Sequence, residues 1–275
     1  MRAILLPLTE RELDRHSVLL GLDLADKLNG HVTALLPQSD FSSLPVYGHN
    51  PLAAGWDELI QHTHEHAERR EVEVRQVLRE FAEPGEGSRL TLRIARGNSD
   101  EVVADCALTH DLVLFPRRSR KADDDVPTSS LLKSTLESAG RPILVVTDEL
   151  PPDFPQTVAI AWNGSVESAH AVTAALPFLA RAQSVHVLTF ATSRTDASRA
   201  KDLVAYLSKH GASAEAHVQE PEVGVGEELL DSAKDLDADL LVMGGYTHSR
   251  LRQTLFGGVT HHVLEHATLP LLMAR

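Results

Sequence analysis

The stretch from Asp239 to Arg275, DLLVMGGYTHSRLRQTLFGGVTHHVLEHATLPLLMAR, decides how the rest of the chain is interpreted. It begins with a short apolar run, Leu240 to Met243, which ends at two glycines and is typical of a buried strand. Apolar residues spaced as on one helical face follow Gly257 and Gly258. A last apolar run, Leu271 to Ala274, predicts another strand.

The paired glycines stand where the predicted helix begins. The first N–H groups of a helix have no partner within the helix, and the helix dipole is positive at that end. Glycine allows the backbone to approach a phosphate without an intervening Cβ atom. The pattern therefore indicates either an anion-binding loop or a tight turn that only introduces the helix.

Composition and charge exclude several classes of function. Hydrophobic residues make up 43% of the chain and charged residues 24%, as in ordinary globular proteins. The 39 acidic and 26 basic residues give a net charge of −13, which disfavours nucleic acids and anionic membranes as partners. The sequence contains no apolar run long enough to span a membrane and no secretory signal, and Cys106 is its only cysteine. We therefore expect a cytoplasmic protein.

An internal repeat divides the chain. Strand and helix patterns alternate from the N-terminus and begin again after a proline-rich segment, Asp148 to Gln156, which is predicted to be a linker. Adding 128 to first-half positions brings Asp111 onto Asp239 and Pro142 onto Pro270 without an insertion. We therefore predict two α/β domains, residues 1–148 and 156–275, each with a five-stranded, mostly parallel sheet flanked by helices.

The sequence VMGG before the loop and HATLPLLMAR after it resemble the C-terminal part of universal stress protein domains. The nucleotide signature of that family is Gly, two residues, Gly, nine residues, Gly, then Ser or Thr. The corresponding residues here are Gly244, Thr247, Gly257 and Gly258, so two positions match and two depart. The resemblance implies a tandem pair of Rossmann-like domains, similar to adenine nucleotide alpha hydrolases.

The resemblance also implies an assembly and a site. The final strands of the two domains, Ile143 to Val146 and Leu271 to Ala274, would pair to give an intrachain pseudo-dimer, and two chains could form a homodimer. In open α/β sheets, ligands bind beyond the carboxyl ends of the strands. The expected ligand, ATP or AMP, would therefore lie in the second domain, at Ala161, Asn163, Phe190, Gly244, Thr247, Gly257, Gly258 and Val259.

These residues have different expected roles. The phosphates would lie on the N–H groups of Gly257, Gly258 and Val259. Asn163 replaces the acidic residue that contacts the nucleotide in the family, and Phe190 corresponds to the main-chain contact on the adenine side. The alternative for Asn163-Gly164-Ser165 is a loop and helix cap, because Asn and Ser favour such positions.

The first domain departs further from the family pattern. Thr9 replaces the acidic residue, and Pro116, which has no N–H group, stands at the first position of the signature. The remaining signature positions hold serines, at Ser119, Ser129 and Ser130. We predict that this domain does not bind a nucleotide in the usual way. The charged segment from Arg117 to Asp125 predicts a solvated loop.

Other candidate sites have simpler interpretations. The chain has 15 histidines, and the pairs His62/His66 and His262/His266 have helical spacing. Two imidazoles alone make a weak metal site, so surface positions are predicted and no metal site is assigned. Cys106, among apolar neighbours, is predicted to be a buried, inert thiol. Gly224-Val225-Gly226 lacks the third glycine of a dinucleotide fingerprint and is predicted to be a helix-entry loop.

No catalytic residues are assigned, because the sequence contains neither a Walker A loop nor a nucleophile elbow. The prediction is a stress-response protein that acts as a ligand-binding or signalling module, with an unknown protein partner. One alternative is an interaction protein that binds no nucleotide. The other alternative is a slow nucleotide hydrolase.

Overall fold

The computed structural model describes residues 1–8, 15–38, 56–81, 89–117, 128–146, 149–191, 198–245 and 258–275. The chain forms two compact units. The first contains residues 1–113 and 126–139, and the second contains residues 114–125 and 140–275.

The first unit is built on parallel strands in the order β3-β2-β1-β4, of which β4 contributes only its first two residues to this unit. The strands are β1 Ala3–Pro7, β2 His31–Gln38, β3 Leu90–Arg96 and β4 Leu112–Pro116. The helices are α1 Arg15–Leu28, α2 Trp56–Phe81, α3 Ser99–Ala107 and α4 Thr128–Ser134, and α4 continues as a π-helical turn, Thr135–Ala139.

The second unit has the strand order β5-β10-β9-β6-β7-β8. The strands are β5 Ile143–Val146, β6 Thr157–Ala161, β7 Ser184–Phe190, β8 Ala214–Gln219, β9 Leu240–Gly244 and β10 Leu271–Ala274. The helices are α5 Val166–Leu179, α6 Arg199–Lys209, α7 Val225–Asp235 and α8 Gly258–His266. Strands β6 to β10 run parallel to one another, and β5 runs antiparallel to β10.

The predicted fold class, α/β with mostly parallel sheets and flanking helices, is confirmed. The predicted pairing of β5 with β10 is also present, with Leu144 opposite Leu272. Because β5 pairs in this way, it belongs to the second unit, and the domain boundary between 148 and 156 stays a prediction. The central strands are apolar along their length because helices cover both faces of such a sheet.

A repeated aspartate contact fixes the start of β1 in the first unit and of β6 in the second. Asp111 Oδ2 accepts hydrogen bonds from the N–H groups of Arg2 and Ala3, at 2.6 and 3.1 Å. Asp239 makes the equivalent contacts, accepting from Gln156 N at 2.7 Å and from Thr157 N at 3.1 Å. The element bounds repeat in the same way, since β4 to β9 and β5 to β10 are both separated by 128 residues.

Two segments are more firmly packed than the sequence predicted. In the predicted linker, Phe154 is buried and its ring meets the ring of Phe178 edge-on, with centroids 6.0 Å apart. Arg117, predicted to begin a solvated loop, donates to the carbonyl oxygens of Leu264 and Ala267 at the end of α8. The carboxyl end of a helix attracts a cation, which explains this placement. Residues 118–125 lie outside the described part of the chain.

We predict that Asp239→Ala lowers the free energy of unfolding by about 2–4 kcal/mol, because two N–H groups lose a charged acceptor. Asp111→Ala should lower the free energy of unfolding by a smaller amount. Asp111 is exposed, so water can replace its carboxylate, whereas Asp239 is half-buried. Urea denaturation of the full chain measures both. The control is Asp231→Ala, on the exposed face of α7, which should change stability by less than about 0.5 kcal/mol. Equal losses in all three variants would contradict the role of the aspartate contacts.

Candidate functional site

Three strands of the second unit end at one edge of its sheet. Ala161, the last residue of β6, lies beside Met243 of β9 and Leu188 of β7. Gly244 and Phe190, which end β9 and β7, therefore lie at the same edge as Ala161. Three of the residues predicted for the ligand site are thus brought together by strand register.

The loop after β6 is held by its own side chains. Asn163 Oδ1 accepts from Ser165 N at 3.0 Å, and Ser165 Oγ accepts from Ser168 N at 3.1 Å. Gly164 adopts a φ of +73°, a conformation that favours glycine. The loop and helix cap, one of the two interpretations left open by the sequence, is therefore formed. The side chain of Asn163 nevertheless stays exposed at the edge.

Gly244 is required for packing. A Cβ atom added there would lie 2.7 Å from Ser168 N and 2.8 Å from the carbonyl carbon of Glu167. The absence of a side chain lets the first turn of α5 approach the end of β9. This glycine is explained by contact between backbones, so its match to the family signature does not by itself indicate a ligand.

Gly258, unlike Gly244, is not closely packed against described residues. It is the first residue of α8, it is exposed, and a Cβ atom added there would lie more than 4 Å from every described residue other than its chain neighbours and its own helix. The next residue, Val259, is 36% exposed. Helix α8 follows β9 in the chain, so its N-terminus lies towards the carboxyl edge. Of the other predicted phosphate contacts, Thr247 and Gly257 lie outside the described residues, as does Thr9 of the first unit.

Gly226 shows how α8 is placed. A Cβ atom added at Gly226 would lie 3.0 Å from Cβ of His262, so this glycine allows α7 and α8 to pack closely. Gly224 precedes α7 as its N-cap residue, which confirms the helix-entry interpretation of Gly224-Val225-Gly226. Both helices begin after the carboxyl ends of strands and run side by side from that edge.

A pocket of about 390 Å³ lies beside the Asn163 loop, between α5 and α6. It was not predicted from the sequence. Its lining is mainly apolar with a charged rim, and it comprises Trp162, Ala169, Val172, Thr173, Arg199, Asp202, Leu203 and Tyr206. Arg199 Nη1 also donates to Gly164 O at 3.4 Å. The spacing of the α6 residues, which follows one helical face, is the signal that could have indicated this pocket.

The groups with clearly displaced pKa values in the described part of the chain lie away from this edge. Burial raises the pKa of the Cys106 thiol, and Cys106 is buried as predicted. Burial also raises the pKa of Asp239, against the opposing effect of its backbone hydrogen bonds. Burial lowers the pKa of His186, and the neighbouring His217 lowers it further.

The histidine pairs noted in the sequence lie at the surface or make local contacts. His62 and His66 are exposed on α2. On α8, Nδ1 of His266 donates to His262 O at 2.9 Å, and the two rings stack with centroids 4.2 Å apart. None of the described helices is long and apolar enough to cross a membrane.

Comparison with known proteins identifies one family. Residues 155–275 match the model of the Universal stress protein family. No curated protein matches the sequence.

Two solved structures are similar to the whole chain. One is a universal stress protein from Archaeoglobus fulgidus DSM 4304, with 15% identity and a TM-score of 0.71, covering 99% of this chain and 96% of that one. The other is a functionally unknown protein from Pseudomonas aeruginosa PAO1, with 17% identity and a TM-score of 0.56, covering 98% of this chain and 91% of that one. At these identities the likeness shows the fold alone.

We predict opposite effects for two glycine substitutions at this edge. Gly244→Ala should lower the free energy of unfolding by about 1–3 kcal/mol, because the new methyl group meets backbone atoms. Gly258→Ala should leave stability unchanged or raise it by about 0.5–1 kcal/mol, because the site is open and alanine favours a helix. Urea denaturation distinguishes the two. A stable Gly244→Ala variant would show that α5 and β9 are not tightly packed.

Proposed function

We propose that the chain is a tandem universal stress protein whose second domain binds an adenine nucleotide, ATP or AMP, and acts as a ligand-sensing module in a stress response. The observation that carries the nucleotide assignment is the exposed start of α8 at Gly258, where no described residue occupies the space beside the helix start. The family match over residues 155–275 supports the stress-response role.

The tandem arrangement is supported by the repeated aspartate contacts. Asp111 directly precedes β4, which pairs with β1, and Asp239 directly precedes β9, which pairs with β6. Asp111 also donates its own N–H to Ala3 O of β1 at 2.8 Å, and Asp239 donates its N–H to Thr157 O of β6 at 2.9 Å. Two chain segments with such matching contacts are expected of a duplicated domain.

The nucleotide phosphates would accept hydrogen bonds from the N–H groups of Gly258 and Val259, where the positive end of the α8 dipole also favours an anion. Gly257 and Thr247 would complete this loop. Asn163 is exposed at the same edge and would contact the ribose, while the main chain at Phe190 would face the base. The predicted first domain, residues 1–148, would not share this mode, because Pro116 at its first signature position offers no N–H group.

The packing role of Gly244 favours a second candidate, an interaction protein that binds no nucleotide. If that glycine is kept for packing alone, the remaining signature contains only Gly257 and Gly258. A slow hydrolase is the third candidate. The three differ in what they do with ATP, so a single set of measurements separates them.

The test is isothermal titration of the full chain with ATP and with AMP. We expect saturable binding of one nucleotide per chain. Gly258→Asp should weaken ATP binding at least tenfold, because its carboxylate would repel the phosphates. The matched control is Gly258→Asn, which has nearly the same size without the charge and should bind within about threefold of the original protein.

Weaker binding by the Gly258→Asp variant would not reflect a loss of folding, because an acidic residue in the first turn of a helix stabilises that helix. No saturable binding at millimolar nucleotide would overturn the nucleotide assignment and favour the interaction protein. Equal binding by the Asp and Asn variants would place the phosphates elsewhere. Release of phosphate from ATP, at a rate that saturates with ATP concentration, would instead support the hydrolase.

A further inference from the structure

Two histidines and a glutamate meet on strands β7 and β8 of the second unit. His186 lies on β7, and Glu215 and His217 lie on β8. Nδ1 of His186 is 3.0 Å from Nε2 of His217. One ligand atom from each of the three side chains lies within 4.8 Å of the other two.

Backbone register creates this cluster. His186 is the direct neighbour of Glu215 in the parallel pair β7–β8. Side chains alternate between the faces of a strand, so Glu215 and His217, two residues apart, lie on the same face as His186. The approach of the three groups therefore follows from the sheet itself.

The cluster is partly buried and partly exposed to solvent. His186 and His217 are half-buried, whereas Glu215 is exposed. Helix α7 packs on the same face, where Ser232 Oγ donates to Gln219 Oε1 at 3.5 Å. A hydrated cation can therefore reach the cluster from the Glu215 side and lose part of its water against the two imidazoles.

The donor set and spacing fit one kind of ion. Zinc is bound by imidazole nitrogen at about 2.0–2.1 Å in a tetrahedral arrangement, which places two ligand nitrogens about 3.3 Å apart. The two ring nitrogens are already close to that separation. Without a cation, nitrogens at this distance require a proton between them, because two lone pairs repel. Two histidines, one carboxylate and a water molecule make a common zinc coordination.

We propose that His186, Glu215 and His217 bind a single zinc ion on the β7–β8 face of the second unit, with water at the fourth position. The site is separate from the nucleotide edge. His186 precedes Phe190 by four residues of one strand, which corresponds to about 13 Å.

The first unit lacks this site. Ala3 pairs with His31 as Thr157 pairs with Ser184, so the position equivalent to His186 is Thr33. Val32 pairs with Leu90 as Val185 pairs with Ala214, so the positions equivalent to Glu215 and His217 are Thr91 and Arg93. Two hydroxyl groups and a fixed cation do not bind zinc. We therefore expect one zinc ion per chain.

The test uses the full chain without a histidine tag, stripped of metal, and titrated with zinc sulfate alone against a chromogenic chelator. We expect one zinc ion per chain, and His186→Asn and His217→Asn should each weaken binding at least tenfold. Glu215→Gln should also weaken binding. Because Glu215 is exposed, this variant keeps the fold even if a histidine variant does not. Cobalt absorption spectra should show tetrahedral coordination that is lost in the histidine variants.

The controls remove other possible ligands. Gln219→Ala changes the next residue on the same face of β8, and the double variants His62→Asn/His66→Asn and His262→Asn/His266→Asn remove the helical pairs. All three should bind zinc within about threefold of the original protein. The proposal is overturned if the unaltered chain does not bind zinc, or if folded His186→Asn, Glu215→Gln and His217→Asn variants all keep the original affinity.

Discussion

The alignment of the central strands depends on one carboxylate in each unit. Asp111 and Asp239 precede the strands that pair with β1 and β6, and each binds the first N–H groups of its neighbour. A parallel pair has no hairpin to set its register, so a side chain that ties the two strand starts together serves this purpose. Once the starts are fixed, strands of similar length end together, and their carboxyl ends form the edge where a ligand can bind. Partial burial raises the pKa of the Asp239 carboxyl group, and its backbone hydrogen bonds oppose that effect.

At that edge, glycine has two physical roles that the sequence alone does not distinguish: it allows backbones to pack closely, or it leaves backbone N–H groups accessible. Gly244 is needed because the first turn of α5 lies against the end of β9, whereas none of the described residues outside its own helix would contact a Cβ atom added at Gly258. A signature of spaced glycines therefore combines a packing requirement with a requirement for access to backbone N–H groups. The second requirement is the one relevant to an anion. For this reason the start of α8 and the exposed Asn163 support the proposed nucleotide site, whereas Gly244 does not.

Most of the fold could be predicted from the sequence because periodicity and the repeat are local or linear signals. The predicted bounds of the two final strands, Ile143 to Val146 and Leu271 to Ala274, agree with β5 and β10 in the structure. What could not be predicted depends on distances across the chain. Arg117 donates to a carbonyl oxygen at the end of α8, and the ring of Phe154 contacts the ring of Phe178. The pocket beside Trp162 forms only when α5 and α6 pack together. The histidine pairs suggested by helical spacing, in contrast, make only local or surface contacts.

The cluster of His186, Glu215 and His217 shows why such sites escape sequence analysis. Helix α6 separates β7 from β8 in the chain, and no spacing rule connects a histidine before that helix with residues after it. Only the parallel register brings them together, and the same register in the first unit brings together Thr33, Thr91 and Arg93. Identical backbone geometry therefore presents a zinc-binding donor set in one unit and none in the other. Where two units share strand register, the scaffold alone cannot determine function, so chemical differences between the units are found in the side chains at equivalent positions.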